Sequence, residues 1–304
     1  NPLYTDGVEF EGSLIVSSAD NLSKLTSGTW TASWWQNTLS QPSFGESIFH
    51  PLAVFNRVLL IGDSSKLHTI DRNSIVSNSR IVLPFEYKIV KILAANDRIW
   101  ILTRNINSKD ACVFEWDGTS ETYSNFYRVY APKILSGILK EEIPFILNNK
   151  GQLMGFTGSG FREVARLPCF NEKTVRFSAS IVESSNWYNV SAENSYSVHP
   201  NGMAIIDDRI HILLTSNING LTSRILDNMY SGIWCFDNDI GLHHRFSLNQ
   251  YKGAVIDFGM PVLVQVGALV STDRIYGSIL CGALYFDDMT HPYNAIFLQN
   301  ITDN

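Results

Sequence analysis

Charge is scarce in this chain. Only 17% of its 304 residues are Asp, Glu, Lys or Arg, against about a quarter in ordinary soluble domains, so much of the chain is expected to be buried or packed against partners. The net charge is −6 and no long run of Lys or Arg occurs, which excludes the basic-groove mechanism of a free nucleic-acid binder. Long apolar runs are missing too. Stretches such as Ile99 to Leu102 and Gly202 to Ile206 fall far short of the roughly 18 to 20 residues that cross a bilayer, so no membrane span is expected. Cysteine is sparse. Cys112, Cys169, Cys235 and Cys281 show no CxxC spacing, three of them lie in apolar runs, and they read as unpaired core thiols formed in a reducing compartment. No Gly-x-Ser-x-Gly elbow, His-Glu-x-x-His helix or Walker sequence occurs, which removes the commonest hydrolase and NTPase signatures and leaves no cofactor to expect. Three sequons, beginning at Asn21, Asn189 and Asn300, carry meaning only in a secreted eukaryotic protein. With neither an initiator Met nor a signal-like start, Asn1 and Asn304 read as cut ends of a longer polypeptide.

What is present is a repeat. An apolar run, an Asn/Asp-Arg corner and a second apolar run recur at Asn56-Arg57, Asp97-Arg98, Asp208-Arg209 and Asp273-Arg274, with a degenerate copy at Lys140-Glu141-Glu142. Asn and Asp tolerate the left-handed backbone of tight hairpin corners, so each copy reads as two strands and a turn. A third strand, alternating and half-buried, follows at Leu67 to Asp71, Val113 to Gly118, Leu153 to Gly158, Ile233 to Asp237 and Ala283 to Asp287. A fourth follows in its turn, as at Arg80 to Leu83, Phe161 to Leu167 and Leu242 to Leu248. Four strands per unit, at roughly 40 to 50 residues per unit, predict an all-β propeller of about five or more antiparallel blades over residues 47–304. A β-sandwich with long hairpins is the competing architecture. Residues 1–46, with Trp30, Trp34 and Trp35, match no complete blade and are expected to form a connector, an incomplete blade or a ring-closing strand, the last preferred because it removes an exposed edge.

In such a blade the first-to-second and third-to-fourth turns share one face, while the other connections share the opposite face. The long segments, Asn105 to Ala111, Asn171 to Pro200, Ser216 to Ser231 and Asn249 to Met260, all fall on that second face, which is therefore the expected binding or assembly surface. Trp187, Tyr188 and Tyr196 in its longest loop are the candidate partner-binding residues, suited to a protein partner or to a sugar. Other polar clusters have structural readings. Asp237, Asn238, Asp239, Gly241, His243 and His244 lack a calcium loop's remaining ligands and read as turn plus strand, and Gly155 to Gly160 has no helix behind it to hold a phosphate. His50, His68, His199, His211 and His291 are isolated in sequence and read as structural residues. No catalytic or metal-binding set is assigned.

The successions Asn149-Lys150-Gly151-Gln152-Leu153 with Gly158-Ser159-Gly160-Phe161, and Met229 to Cys235 ending in Gly241-Leu242, resemble propeller-type structural proteins of tailed bacteriophages, such as tail nozzle components. The resemblance covers about residues 47–300 in style and repeat, and transfers no catalytic residue. It implies a virion location, assembly in the host cytoplasm, and partners that are other virion proteins or copies in a symmetric ring. A glycan-binding or glycan-cleaving propeller is the alternative, and surface glycan the alternative partner.

Overall fold

A computed structural model describes residues 6–18, 20–35, 39–40, 50–168, 175–178, 187–190, 196–216, 232–247, 269–271, 277–286 and 292–300. The chain is all-β, built of four-stranded antiparallel blades of the propeller type. The first sheet is β1 (Asp6–Phe10), β2 (Ser13–Ser17), β3 (Leu22–Thr26) and β4 (Thr29–Thr31); the second is β5 (Leu52–Phe55), β6 (Val58–Asp63), β7 (Lys66–Asp71) and β8 (Val76–Val82). The third comprises β9 (Tyr87–Ala94), β10 (Ile99–Asn105), β11 (Cys112–Trp116) and β12 (Asn125–Arg128); the fourth β13 (Ile134–Lys140), β14 (Ile143–Asn148), β15 (Gln152–Phe156) and β16 (Phe161–Arg166). A hairpin of β17 (Val175–Ser178) and β18 (Trp187–Val190) follows. Then come β19 (Tyr196–Ser197), β20 (Met203–Ile206), β21 (Arg209–Ser216), β22 (Gly232–Asp237) and β23 (Gly241–Ser247) in one sheet, and β24 (Leu269–Ser271), β25 (Gly277–Phe286) and β26 (Pro292–Asn300) in a three-stranded one.

The chain divides into two compact units, Asn1–Pro144 with Phe156–Phe161, and Phe145–Gly155 with Arg162–Asn304. In the first unit the innermost strands stand side by side in the order β1, β5, β9, β13, the radial stacking that defines a propeller. The second blade is buried on both faces along β6. Along β6, Leu59 and Ile61 pack with Phe10, Ile15 and Leu22 of the first blade, while Leu60 between them packs with Ile99, Ile101 and Phe114 of the third. Successive side chains of a strand point to opposite faces, so a blade between two neighbours needs an unbroken apolar run. Half-buried alternation, the sequence expectation, gives way to strands such as β11, in which all five residues are buried. Each fully buried Leu or Ile contributes about 1.5–3 kcal/mol, and this interleaving binds blade to blade.

Residues 6–31 form a complete four-stranded sheet, where the sequence reading expects a connector or closing strand. Its corner is Glu11-Gly12, both at positive φ, and lacks the Asn/Asp-Arg signature, which is why the repeat hides there. Two-residue corners with both residues at positive φ recur at Asn56-Arg57, Glu141-Glu142 and Asp207-Asp208. The last lies one residue earlier than the sequence places it, and Arg209 begins β21. Asp97-Arg98 belongs instead to a wider corner closed by the Ala95 amide on the Arg98 carbonyl at 2.9 Å. The Arg274 corner lies outside the described residues.

Within the first unit the two ends of the blades are distinct. At one end Arg57 clasps the Glu11 carboxylate through two hydrogen bonds, of 2.9 and 2.7 Å, and the Asn96 amide donates to Glu142 at 2.6 Å, so first-to-second corners of adjacent blades bond each other. There too Gly118, at φ +82, sits so close to Phe55 that a Cβ would lie 2.5 Å from the ring. At the other end the second-to-third and blade-to-blade connections are knit together by backbone hydrogen bonds.

Candidate functional site

Two features of the first unit bear on function: a buried polar clasp and an exposed aromatic face. The clasp centres on Asp63, which closes β6 and is 3% exposed. Its carboxylate accepts the Ser40 amide at 2.9 Å, the Ser40 hydroxyl at 3.0 Å and His68 Nε2 at 3.2 Å, with His50 Nδ1 3.9 Å away. The opposite nitrogen of His68 accepts the Ser79 amide at 2.9 Å. An amide can only donate, so the His68 proton sits on Nε2 and is directed at Asp63. His50 Nδ1 lies 3.2 Å from the Gly62 carbonyl, to which it donates, and the Trp35 ring meets His68 edge-on at 5.3 Å. Burial opposes ionisation of Asp63, yet the hydrogen bonds from His68 and Ser40, with His50 nearby, hold its carboxyl below the usual carboxylate range.

His50 and His68, isolated in sequence, are thus brought to one carboxylate, and Ser40 and Asp63 are the members that sequence reasoning misses. The set does not make a nucleophile. Ser40 Oγ donates to Asp63 rather than to an imidazole, and both His68 nitrogens are committed. It ties the segment after the first blade to the second blade. A comparable structural pairing serves the corner arginines: Arg98 bridges Asp97 at 2.7 Å and Glu115 at 2.8 Å, and Arg209 reaches Asp237 at 2.6 Å. Buried Glu115 also accepts Tyr127 at 2.7 Å and Asn125 at 3.2 Å. Burial, reinforced by that hydrogen bond, pushes the Tyr127 phenol up to about 12.

The other feature lies at the end of the blades where the expected binding face falls. Phe85, Ile106 and Tyr130 are exposed by 74%, 37% and 68%, on three adjacent connections. These are fixed to one another: the Ile106 amide donates to the Glu86 carbonyl at 2.9 Å, Asn105 to Pro132 at 2.8 Å and Ala111 to Ala131 at 2.7 Å. Asn105 further organises its turn by accepting the Asn107 amide at 2.9 Å. Tyr130 adopts φ +54, an uncommon backbone for a bulky residue that persists only where its surroundings impose it. Lys88 Nζ stands 4.1 Å from the centre of the Phe85 ring. Segments 83–88, 104–110 and 128–133 carry Lys88, Arg104, Lys109, Arg128 and Lys133 against Glu86 and Asp110, a local cationic excess in a chain of net charge −6. The Lys133 ammonium is held below the usual lysine range, first by loss of solvent around it and then by Arg104.

Of the sequence-assigned partner residues, Trp187 and Tyr188 lie on β18, opposite Ser178 and Phe177 of β17, and Tyr196 lies on β19 opposite Ser216. They belong to strands rather than to an open loop. The segment Asn105 to Ala111 joins β10 to β11 as expected, whereas most of the other three long segments lies outside the described residues. Gly155 to Gly160 spans the end of β15 and the turn to β16, with Gly158 at φ +88 and the Thr157 amide on the Gly160 carbonyl at 2.9 Å. Asp237 accepts the Asp239 amide at 2.7 Å in the turn between β22 and β23, and His244 stacks on Trp234 at 4.5 Å. Cys112 and Cys235 are buried and free; the side chains of Cys169 and Cys281 lie outside the described residues. Among the described residues no group of His, Cys, Asp and Glu side chains is placed to hold a metal ion, and no helix is long and apolar enough to cross a membrane.

No family model and no curated protein matches the chain. Among solved structures it is similar to the extracellular domain of a one component system from B. thetaiotaomicron, at 11% identity and TM-score 0.44 over 98% of this chain and 38% of that one. It is also similar to the computationally designed protein Ika8, at 9% identity and TM-score 0.48 over 99% and 84%. A third similarity is to a protein of unknown function from Bacteroides caccae, at 10% identity and TM-score 0.49 over 99% and 91%. The chain therefore spans well under half of the first of these proteins. Similarity at this level carries no argument about function.

Proposed function

We propose that the chain is a non-catalytic structural module that acts by protein–protein contact, as a tail-associated propeller of a bacteriophage particle. The supporting observation is the row of Phe85, Ile106 and Tyr130, large apolar groups held in solvent by rigid, cross-bonded loops. Exposed apolar groups on a fixed scaffold are the raw material of an interface. The buried clasp, whose donors and acceptors are spent on one another, supports a structural rather than a chemical role. The phage setting rests on the sequence resemblance, and the partners there are other virion proteins or copies of this chain.

A surface serving assembly buries on the order of 1,000 Å² or more. The test is mass spectrometry of particles purified from the source culture, with wild-type chain and with the Phe85→Ser, Tyr130→Asn double variant. The wild type should be present in stoichiometric amount, and the variant should fold but be left out. Absence of the wild type overturns the virion setting, normal incorporation of the variant overturns the choice of face, and hydrolysis of a glycan panel by the purified chain moves the reading to the carbohydrate alternative.

A further inference from the structure

We infer that the blade formed by β20–β23 is an acid-sensitive switch, in which protonation of His211 drives the strands apart and admits water between them. The device is independent of the contact face proposed above. His211 is the third residue of β21 and is 1% exposed. Its Nδ1 lies 3.3 Å from the Arg209 carbonyl, to which it donates, so the neutral ring carries its lone pair on Nε2. That nitrogen is buried and has no hydrogen-bond partner among the described residues. A proton taken up there creates a buried cation and a donor without an acceptor, which costs far more than the neutral ring in the same place.

The groups around the ring oppose the charge. Residues directly opposite one another across the sheet run Ala204, His211, Cys235 and His243, so a methyl and a thiol are the cross-strand neighbours of the imidazole. Burial pushes the Cys235 thiol up, and it stays neutral rather than pairing with an imidazolium. Loss of solvent holds His211 down to about 4; the Arg209 carbonyl offsets this in part, while the Arg245 and Arg209 charges add to it and outrank the opposing pull of Asp207. Asp237 of β22 is bonded to Arg209 at 2.6 Å. Of the other strands against β21, which are β19, β20 and β24, none contains Asp, Glu, Lys or Arg, and Tyr196 is their one ionisable residue. The register shift between Ile233 and Trp234 interrupts the β22–β23 ladder, a place at which opening can begin. An imidazole depressed from its unfolded value near 6.5 leaves the blade at full stability above about pH 6.5. Stability is then lost as pH falls toward about 4, by up to about tenfold in the opening equilibrium per pH unit.

Hydrogen exchange of the whole chain is read by mass spectrometry in steps from pH 7 to pH 4.5, corrected for the intrinsic pH dependence of exchange. Protection of peptides from β20–β23 should fall by up to about tenfold per pH unit below about pH 6.5, recover when the pH is restored, and outrun any fall in peptides from β5–β12. His211→Gln keeps a donor for the Arg209 carbonyl, and His211→Leu supplies an uncharged side chain; neither titrates, and in each the fall should vanish. His199→Gln, His243→Gln and His244→Gln, made singly, remove the other imidazoles near this blade and should keep it. The proposal is overturned if the wild type shows no fall, if β5–β12 falls equally, if the fall survives in a folded His211 variant, or if a change at 199, 243 or 244 abolishes it. Should neither His211 variant fold, the wild-type ring decides by NMR titration: protonation of His211 near pH 6.5 with the blade still protected overturns the switch, and protonation only as protection is lost upholds it.

Discussion

Replacing Asp63 by Ala tests whether the buried clasp holds the first two blades together. The substitution leaves the Ser40 amide, the Ser40 hydroxyl and His68 Nε2 without their acceptor. A buried donor without a partner costs about 1–3 kcal/mol. Ser40 is exposed, so water can take over from its amide and hydroxyl in part, but His68 is buried and cannot change tautomer without losing the Ser79 amide. One firm loss and two partial ones give about 2–4 kcal/mol. Asp63→Asn keeps an oxygen for Ser40 and turns its NH2 toward the His68 N–H, so about 1–3 kcal/mol is expected. The pH dependence follows from the lowered carboxyl of Asp63. A carboxyl depressed in the folded state contributes stability that is present above its unfolded value near 4 and lost as pH falls through the folded value. Urea unfolding of wild type and both variants between pH 7 and pH 3 should therefore show a gap that is full at pH 7 and narrows below about pH 4. A loss under 1 kcal/mol for Asp63→Ala at pH 7, or a gap independent of pH, would refute this account.

Three further outcomes are expected. Burial lowers the Lys91 ammonium to about 8, and Asp6 only partly offsets it; because the unfolded chain then binds more protons between about pH 8 and 10, Lys91→Met should stabilise the protein by about 1–3 kcal/mol at pH 7 and by little at pH 10, as read from urea midpoints. Changing Asp207-Asp208, both at positive φ, to Asn-Gly should stabilise by up to about 1 kcal/mol in thermal melts, since Asn and Gly adopt that corner at less cost. Glu115→Gln should leave the Tyr127 phenol raised by burial but bring it down from about 12, which ultraviolet titration against a Tyr127→Phe control detects.

Much of the fold is legible because its signals are local. The corner at Asn56-Arg57 and the degenerate one at Glu141-Glu142 stand where the residues announce them, since each hairpin turn is specified within a few positions. The first blade escapes notice for the same reason. Its corner is Glu11-Gly12, and its outer strand Thr29–Thr31 is short and exposed at all three positions, so neither turn chemistry nor hydrophobic period marks it. The double-sided burial of β6 and β11 cannot be read from one strand at all, because it depends on what packs against the second face.

The clasp and the aromatic face lie beyond sequence reading for a different physical reason. Asp63 and His68 are set together by the β6–β7 hairpin, but Ser40 meets them only when a segment from the end of one blade folds over the next, and no helix or hairpin fixes its spacing to them. Yet one signal was there: Asp63, Asn105 and Asn148 each close the second strand of their blade. Asn105 and Asn148 use their side chains to accept amides within their own turns, from Asn107 at 2.9 Å and from Lys150 at 3.0 Å. Asp63 occupies the same place and directs its carboxylate to Ser40 and His68 instead. A charged member in a series otherwise of Ser and Asn marks a turn that bonds outward, since a neutral side chain suffices to close a turn and a buried carboxylate demands several donors. Likewise Phe85 follows Pro84 and Tyr130 precedes Pro132 in blade-to-blade connections. Proline stiffens a connection and keeps it from joining a strand, so a large ring beside it stays at the surface, where it is available to a partner.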